Sequence, residues 1–154
     1  MLQMLFIVTQ SALLILLAIH DWVDLTPFND VGIIRKSNGL TGMVISTAIN
    51  CGIIAFSLGG TFYYRTDATP TWFSLYLVFS YMLFCFGAFM FWYRPMLFGA
   101  QVWDKEHFKK EYAHTHHLIP GGDEDVRPNT MHLFIHFFIL TSAVLAILRV
   151  TGRF

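Results

Sequence analysis

Four long apolar runs dominate this chain of 154 residues, and they lie near residues 2–19, 40–64, 71–93 and 129–150. Each has roughly the 20 residues that an α-helix needs to cross the hydrocarbon of a bilayer. Because backbone N–H and C=O groups in lipid must be paired within their own segment, apolar runs of this length have to be helices. The sequence therefore predicts an all-α fold, an integral membrane bundle of four transmembrane helices that forms a single domain over residues 1–154.

Composition agrees with a membrane protein, since 55% of the residues are hydrophobic and only 13% are charged. Soluble domains carry about 25% charged residues. The ten basic residues form no dense patch, which argues against nucleic acid as a partner and leaves the lipid bilayer as the expected one. The first run lacks the basic start and the small-residue cleavage site of a signal peptide, so it is predicted to remain as a helix.

The distribution of Lys and Arg predicts an orientation. In a four-span topology, seven of the ten basic residues fall in the loops after the first and third runs, and three lie on the other side. Positive charge favours the cytoplasmic side. We therefore expect the two longer loops in the cytoplasm and the protein in a bacterial inner membrane.

Small residues recur at fourfold spacing along the second run. They form three pairs: Gly42 and Ser46, Ala48 and Gly52, Ala55 and Gly59. Such spacing lets membrane helices approach closely. It predicts either packing within the monomer or contact between copies in a homo-oligomer.

The polar stretch 101–117 is predicted to be an amphipathic surface helix between the third and fourth spans. Trp103, Phe108 and Tyr112 are expected to touch lipid. His107, Glu111 and His114 recur at spacings of four and three, so in one helix they share a face. We expect that face to turn toward the mouth of the bundle and the segment to act as a lid.

Six of the seven histidines lie between residues 106 and 136. The ends of odd-numbered spans and the starts of even-numbered spans meet at the same membrane face, so these six and His20 are expected there together. Ionisable side chains at membrane depth mark functional sites. The predicted metal ligands, for iron or zinc, are His20, His116, His132 and His136, with Glu111 and Asp21 as catalytic carboxylates. The plainer interpretation is that the loop histidines are simply solvated.

Two resemblances follow from these motifs. The patterns HxHH and HxxxH within 114–136 resemble the histidine boxes of membrane di-iron hydroxylases and desaturases, which implies an oxygen-activating iron site. The strings HDW at residue 20, FND at residue 28, TH before Pro120 and PNTMHLFIH at residue 128 resemble a family of small four-helix bacterial membrane proteins. That second resemblance implies the four-span fold and no particular activity.

Three functions remain open on the sequence. The first is a metal-dependent membrane enzyme that acts on a lipid or another apolar substrate. The second is a haem- or quinone-linked electron carrier, for which two axial histidines or the aromatic third span would supply the site. The third is an oligomeric transport or interaction subunit in which the histidines relay protons or metal ions.

Overall fold

The structure is a computed structural model that describes residues 1–65, 69–122 and 125–153. Its regular elements in these ranges are helical, and they follow in this order: α1 Leu2–Ile19, α2 Val31–Tyr63, α3 Thr71–Ala88, a π-helical turn Phe89–Tyr93, α4 Arg94–Phe98, α5 Val102–Glu111 and α6 Thr130–Val150. Four helical stretches are long and apolar enough to cross a membrane: α1, α2, the continuous stretch Thr71–Phe98, and α6. The all-helical fold with four such helices is therefore confirmed.

Helix α6 lies at the centre of the bundle, packed against α3 on one side and α1 on the other, while α2 packs against α1. Fully buried apolar side chains from these helices form the core, including Phe6, Leu13, Leu77 and Tyr81. One buried polar pair crosses it, where the Gln10 amide nitrogen donates to Thr61 Oγ1 at 3.0 Å, while Oε1 of the same amide has no partner among the described residues. This bond offsets part of the cost of placing an amide in an apolar interior.

Helix α2 begins at Val31, nine residues before the predicted start of the second span. Asp30 caps this beginning, with its side chain accepting a hydrogen bond from the Ile33 backbone at 3.0 Å. Gly39, at φ 67°, interrupts the helical backbone where the apolar run starts. The helical turns before Gly39 are polar, so the apolar pattern used to predict the second span did not include them. The six small residues predicted to pack closely are all exposed in the single chain, and the contact between copies in a homo-oligomer stays a prediction.

The third span continues past its predicted end at residue 93. We expected Arg94-Pro95 to stop the helix, yet α4 extends it to Phe98, and Gly99 at φ 96° ends it. Proline is tolerated here because it lies at the junction of the π-helical turn and α4, where the regular α-helical hydrogen-bond pattern is already interrupted. The π-helical turn just before it adds the extra residue that shifts the helix register.

Helices α2 and α3 touch near the loop that joins them. A Cβ placed on Gly60 would lie 2.2 Å from Cζ of Phe73, so the Phe73 ring rests directly on the α2 backbone. The Tyr76 hydroxyl donates to the Ile53 carbonyl at 3.0 Å. Toward the opposite end of the bundle the two helices line a shared cavity, and that end is where the histidines are.

Candidate functional site

A cavity of about 470 Å³ lies between the spanning helices, on the side where α2 and α3 separate. Its walls are mostly apolar side chains such as Ile53, Phe84 and Ile139, and among the described residues its polar lining comprises His20, Asn50, His132 and His136, together with the indole of Trp92. A mostly apolar pocket with a few convergent polar groups is typical of a ligand site. This cavity is therefore the candidate functional site.

His132 has a defined hydrogen-bonding state. The Asn129 amide nitrogen donates to the Phe28 carbonyl at 3.1 Å, and Asn129 Oδ1 accepts from the His132 backbone at 2.9 Å. The same oxygen lies 2.8 Å from Nδ1 of His132. Because this oxygen can only accept, Nδ1 carries the hydrogen, and Nε2 of the neutral ring is left as an acceptor.

His136, one turn further along α6, meets the π-helical turn. Its Nδ1 lies 3.2 Å from the Tyr93 hydroxyl. The neighbouring Trp92 packs its ring 4.7 Å from that of His132. Single π-helical turns often mark functional sites. Here the turn brings two successive aromatic residues against the two histidines of α6.

His20 follows the end of α1 and forms a pair with Asp21. Nδ1 of His20 lies 3.1 Å from the Leu17 carbonyl, and Nε2 lies 3.1 Å from Asp21 Oδ1. Since a carbonyl can only accept, Nδ1 donates, and the Nε2–Oδ1 contact must hold a further proton on one of its two atoms. Burial raises the pKa of the Asp21 carboxyl; His20 lowers it and the nearby Glu111 carboxylate raises it. The His20–Asp21 pair is thus a place that can keep and release a proton.

Three histidine rings line the cavity in a row. The ring centroids of His20 and His132 are 5.9 Å apart, and those of His132 and His136 are 6.0 Å apart. At these separations the rings do not hydrogen-bond to one another, so a bound polar group or a water is needed to connect them. The arrangement can hold a hydroxyl or carbonyl group and exchange protons with it.

Helix α5 differs from the predicted lipid-lying helix. It ends at Glu111, and its buried residues are Asp104, Phe108 and Glu111, at spacings of four and three. Phe108 is only 1% exposed and packs beside Trp92 rather than touching lipid. The prediction that Phe108 touches lipid was wrong. Phe108 lies on the same face of α5 as the buried carboxylates Asp104 and Glu111, and their partners on other elements hold that face against the protein.

Two other expectations for this segment also need correction. Tyr112 packs its ring 4.8 Å from that of Trp92 instead of facing lipid, and burial, then Glu111 and Asp21, raise the pKa of its hydroxyl. His114 lies beyond the end of α5 and pairs with Asp30 at 3.5 Å, so it does not share a helix face with Glu111.

The side chain of Glu111, the last residue of α5, is buried against the first part of α2. Its Oε1 accepts from the Ser37 hydroxyl, which in turn accepts from the Lys110 ammonium at 3.0 Å. His107 Nδ1 lies 3.5 Å from the same Oε1. The Tyr112 side chain also interacts with this carboxylate, which adds to the effect of burial in raising the pKa of the Tyr112 hydroxyl. Glu111 thus ties α5 to α2.

A second cavity, of about 190 Å³, lies beneath α5. Its lining includes His107 and Tyr112 from above, and it shares Phe91, Trp92 and His132 with the larger cavity. Trp92 and His132 therefore form the partition between the space under α5 and the space within the bundle.

Asp104 is expected to hold α5 in place. Both of its carboxylate oxygens accept from Arg94 Nη2, at 3.0 and 2.9 Å, and Oδ2 also accepts from the Gln101 backbone. Asp104→Ala should cost about 2 kcal/mol locally, because it removes a helix cap and leaves Arg94 unpaired. Hydrogen exchange over residues 102–111 should become faster. Glu106→Ala removes an exposed acid from the same helix and serves as the control; equal protection in both variants would contradict this role.

The remaining predicted histidines have other partners. His116 is exposed; its Nδ1 lies 2.7 Å from Thr130 Oγ1, and its backbone N–H donates to the Pro27 carbonyl at 2.7 Å. It fastens the loop before α6 to the loop between α1 and α2. His117 contacts the backbone carbonyls of Tyr112 and Pro128. The hydrogen bonds of both histidines are therefore with loops and helix ends.

In the described residues, no three or more His, Cys, Asp or Glu side chains are arranged to hold a metal ion. The iron or zinc centre predicted from the sequence has no support in the positions of these side chains. The ligand roles of His20, His116, His132 and His136 stay a prediction, as do the catalytic roles of Glu111 and Asp21.

Sequence reasoning missed three residues of the site. Asn129 was interpreted only as a helix start, Trp92 as one of many span-three aromatics, and Tyr93 as the end of that span. The string Trp92-Tyr93-Arg94-Pro95 could have suggested a change of helix register, because proline near the end of a helical run often accompanies one. Nothing in the sequence indicates which histidine each ring would meet.

No family model, no curated protein and no solved structure matches this chain. The resemblance to small four-helix bacterial membrane proteins and that to histidine-box enzymes therefore stay predictions. Function has to be argued from the site itself.

Proposed function

We propose that this protein binds an apolar molecule bearing a hydroxyl or carbonyl group, taken up sideways from the bilayer, and that its histidines bind that group and exchange protons with it. The observation that carries the proposal is the cavity of about 470 Å³, whose walls are mostly apolar and whose polar lining includes His20, His132 and His136. Lipid-derived alcohols, ketones and quinones all belong to this ligand class.

The shape of the cavity supports entry from lipid. It is lined on one side by Ile49 and Ile53 of α2 and on the other by Leu83 and Phe86 of α3. Ile49, Leu83 and Phe86 are also exposed at the surface of the spanning helices. An apolar molecule can therefore pass from the acyl chains into the cavity without crossing a polar surface.

The chemistry of the polar end supports binding and proton exchange. His132 offers Nε2 as an acceptor, and His136 lies beside the Tyr93 hydroxyl. The His20–Asp21 pair keeps a proton at the same end. Neutral imidazole beside such a pair is suited to general acid–base work. We extend the proposal to an enzyme that moves a proton at the ligand's polar group.

Trp92 supplies the readout for a test. A variant with Trp22, Trp72 and Trp103 each replaced by Phe keeps Trp92 as its one tryptophan, since the chain has four. A brominated long-chain alcohol should quench this fluorescence more strongly than a brominated alkane of equal length. Its apparent affinity should be about fivefold higher, because the hydroxyl adds one hydrogen bond. Equal quenching by the two probes would contradict the proposal.

His136→Phe should reduce the preference for the alcohol while leaving quenching by the alkane in place, because the cavity stays apolar and loses one of the ring nitrogens that can bind the hydroxyl. His114→Phe is the matched control, since His114 is exposed and pairs with Asp30 outside the cavity. Loss of the preference in both variants would assign it to general unfolding instead of to His136.

The alternatives from the sequence have separate signatures. Iron or zinc bound in stoichiometric amount would favour a metal-dependent enzyme, and a Soret band in the visible spectrum would favour a haem-linked carrier. Proton flux in vesicles without added ligand would favour transport. We keep the orientation with the histidine end in the cytoplasm as part of the proposal, on the distribution of Lys and Arg.

A further inference from the structure

A third cavity, of about 540 Å³, lies outside the bundle between α4 and the loop that precedes α6. Pro95, Met96 and Gly99 line one side of it, and Ile119 and Pro120 line another. Its charged lining residues are Lys105, Asp125 and Arg127, so it is chemically unlike the histidine cavity. It shares none of that cavity's lining residues.

Arg127 is the central polar group of this pocket. Its side chain is buried, with only 9% of the residue exposed, and the guanidinium carbon lies 6.0 Å from the centre of the Phe108 ring. Nη1 donates to the Gly122 carbonyl, whereas Nε has no acceptor among the residues that the structure describes. A buried N–H of a charged group without an acceptor is costly. A small movement of the Arg127 side chain would let a ligand oxygen in the pocket accept from Nε.

The remaining charges favour an anion. The Lys105 side chain is exposed along the pocket and can move toward a ligand. Asp125 Oδ2 is occupied by the Gly122 backbone N–H at 2.6 Å. Arg94, on the neighbouring helix, is already neutralised by Asp104. The described lining thus contains two cations, Lys105 and Arg127, and one carboxylate, Asp125, which already accepts a hydrogen bond. An arginine with a lysine nearby suits a phosphate group.

Exposed apolar side chains flank the pocket. Leu97, Phe98, Val102 and Leu118 are each between 60% and 76% exposed, and all lie within three residues of a lining residue. Large apolar residues next to a basic pocket are expected at the level where acyl chains meet headgroups. We propose that Arg127 and Lys105 form a binding site for a phosphate group, supplied by the headgroup of an anionic phospholipid or by a free phosphate compound.

The test uses the full-length protein purified in a mild detergent, with retained lipid measured by native mass spectrometry. Phosphatidylglycerol should bind in preference to phosphatidylcholine. Lys105→Gln should weaken phosphatidylglycerol binding by about fivefold, because one lysine near the headgroup is removed. Arg127→Gln should remove the preference entirely. Lys109→Gln takes a lysine from the same helix at a position outside the pocket and should leave binding unchanged.

Inorganic phosphate distinguishes the two sources. If millimolar phosphate displaces phosphatidylglycerol in the wild type and not in Arg127→Gln, the site accepts free phosphate compounds. If only the lipid binds, the source is the headgroup. Because Arg127 also holds the Gly122 carbonyl, its replacement could unfold the loop, so Lys105→Gln is the deciding variant. Binding equal to wild type in Lys105→Gln, or equal loss in Lys109→Gln, would overturn the proposal.

Discussion

Replacing Gly87 with Phe is expected to remove most of the quenching of Trp92 by the brominated alcohol. Gly87 lines the cavity within the bundle, and a Cβ added there meets nothing within 4 Å. The new ring therefore enters empty space instead of displacing the α3 backbone. Because it fills space that the ligand would use, the apparent affinity should fall at least about tenfold, which corresponds to ~1.4 kcal/mol.

The control for this experiment is Gly59→Phe. Gly59 is exposed on α2, and a Cβ added there also meets nothing within 4 Å. It does not line the cavity. Both variants should melt close to the wild type. If Gly87→Phe keeps full quenching, the alcohol reaches Trp92 from the bulk lipid, and the cavity is not the binding site.

The largest effect on stability is expected from Gly60→Ala. The added methyl would lie 2.2 and 2.4 Å from two ring carbons of Phe73, a fully buried residue that also packs against Tyr64 and Tyr76. Overpacking of this kind costs about 2 kcal/mol or more. Thermal melting in detergent, followed by circular dichroism, should shift downward by roughly 5 °C.

Gly59→Ala is the matched control, since it adds the same methyl one residue away in open space. In the helix interior it should be neutral or stabilise slightly, by up to about 1 kcal/mol. Equal melting of the Gly59 and Gly60 variants would mean that α2 and α3 do not meet at Phe73. The divergence of these helices, which leaves room for the cavity, would then need another explanation.

The number of helices long and apolar enough to cross a membrane, and their approximate positions, were predictable from the sequence. The first span was predicted at 2–19 and lies at Leu2–Ile19; the fourth was predicted at 129–150 and lies at Thr130–Val150. Lipid leaves an apolar run of this length no conformation other than a helix, so length and composition are sufficient. The helix ends predicted wrongly are the start of α2, which Asp30 caps, and the end of the third stretch, which continues through Pro95 and ends at Gly99. These ends depend on local backbone geometry.

The order of the helices along the chain is enough to predict that the histidine-bearing segments meet at one end. It does not predict which atoms of those segments come into contact. Helices that are apolar all round carry no periodic pattern to indicate which face is buried. The pairing of His136 with Tyr93 depends on the extra residue of the π-helical turn, and that of His20 with Asp21 on the turn after α1.

Burial of the carboxylates was likewise decided by tertiary structure. Asp104 and Glu111 belong to a polar ten-residue helix and would be exposed if it stood alone. They are buried because Arg94 from α4 and Ser37 from α2 supply donors at matching positions. The sequence by itself determined an all-helical fold with four helices long and apolar enough to cross a membrane, because apolar runs of this length favour helices. Which side chains share a cavity was decided only by tertiary packing. The face that each helix turns toward its neighbours depends on contacts between residues distant in the chain.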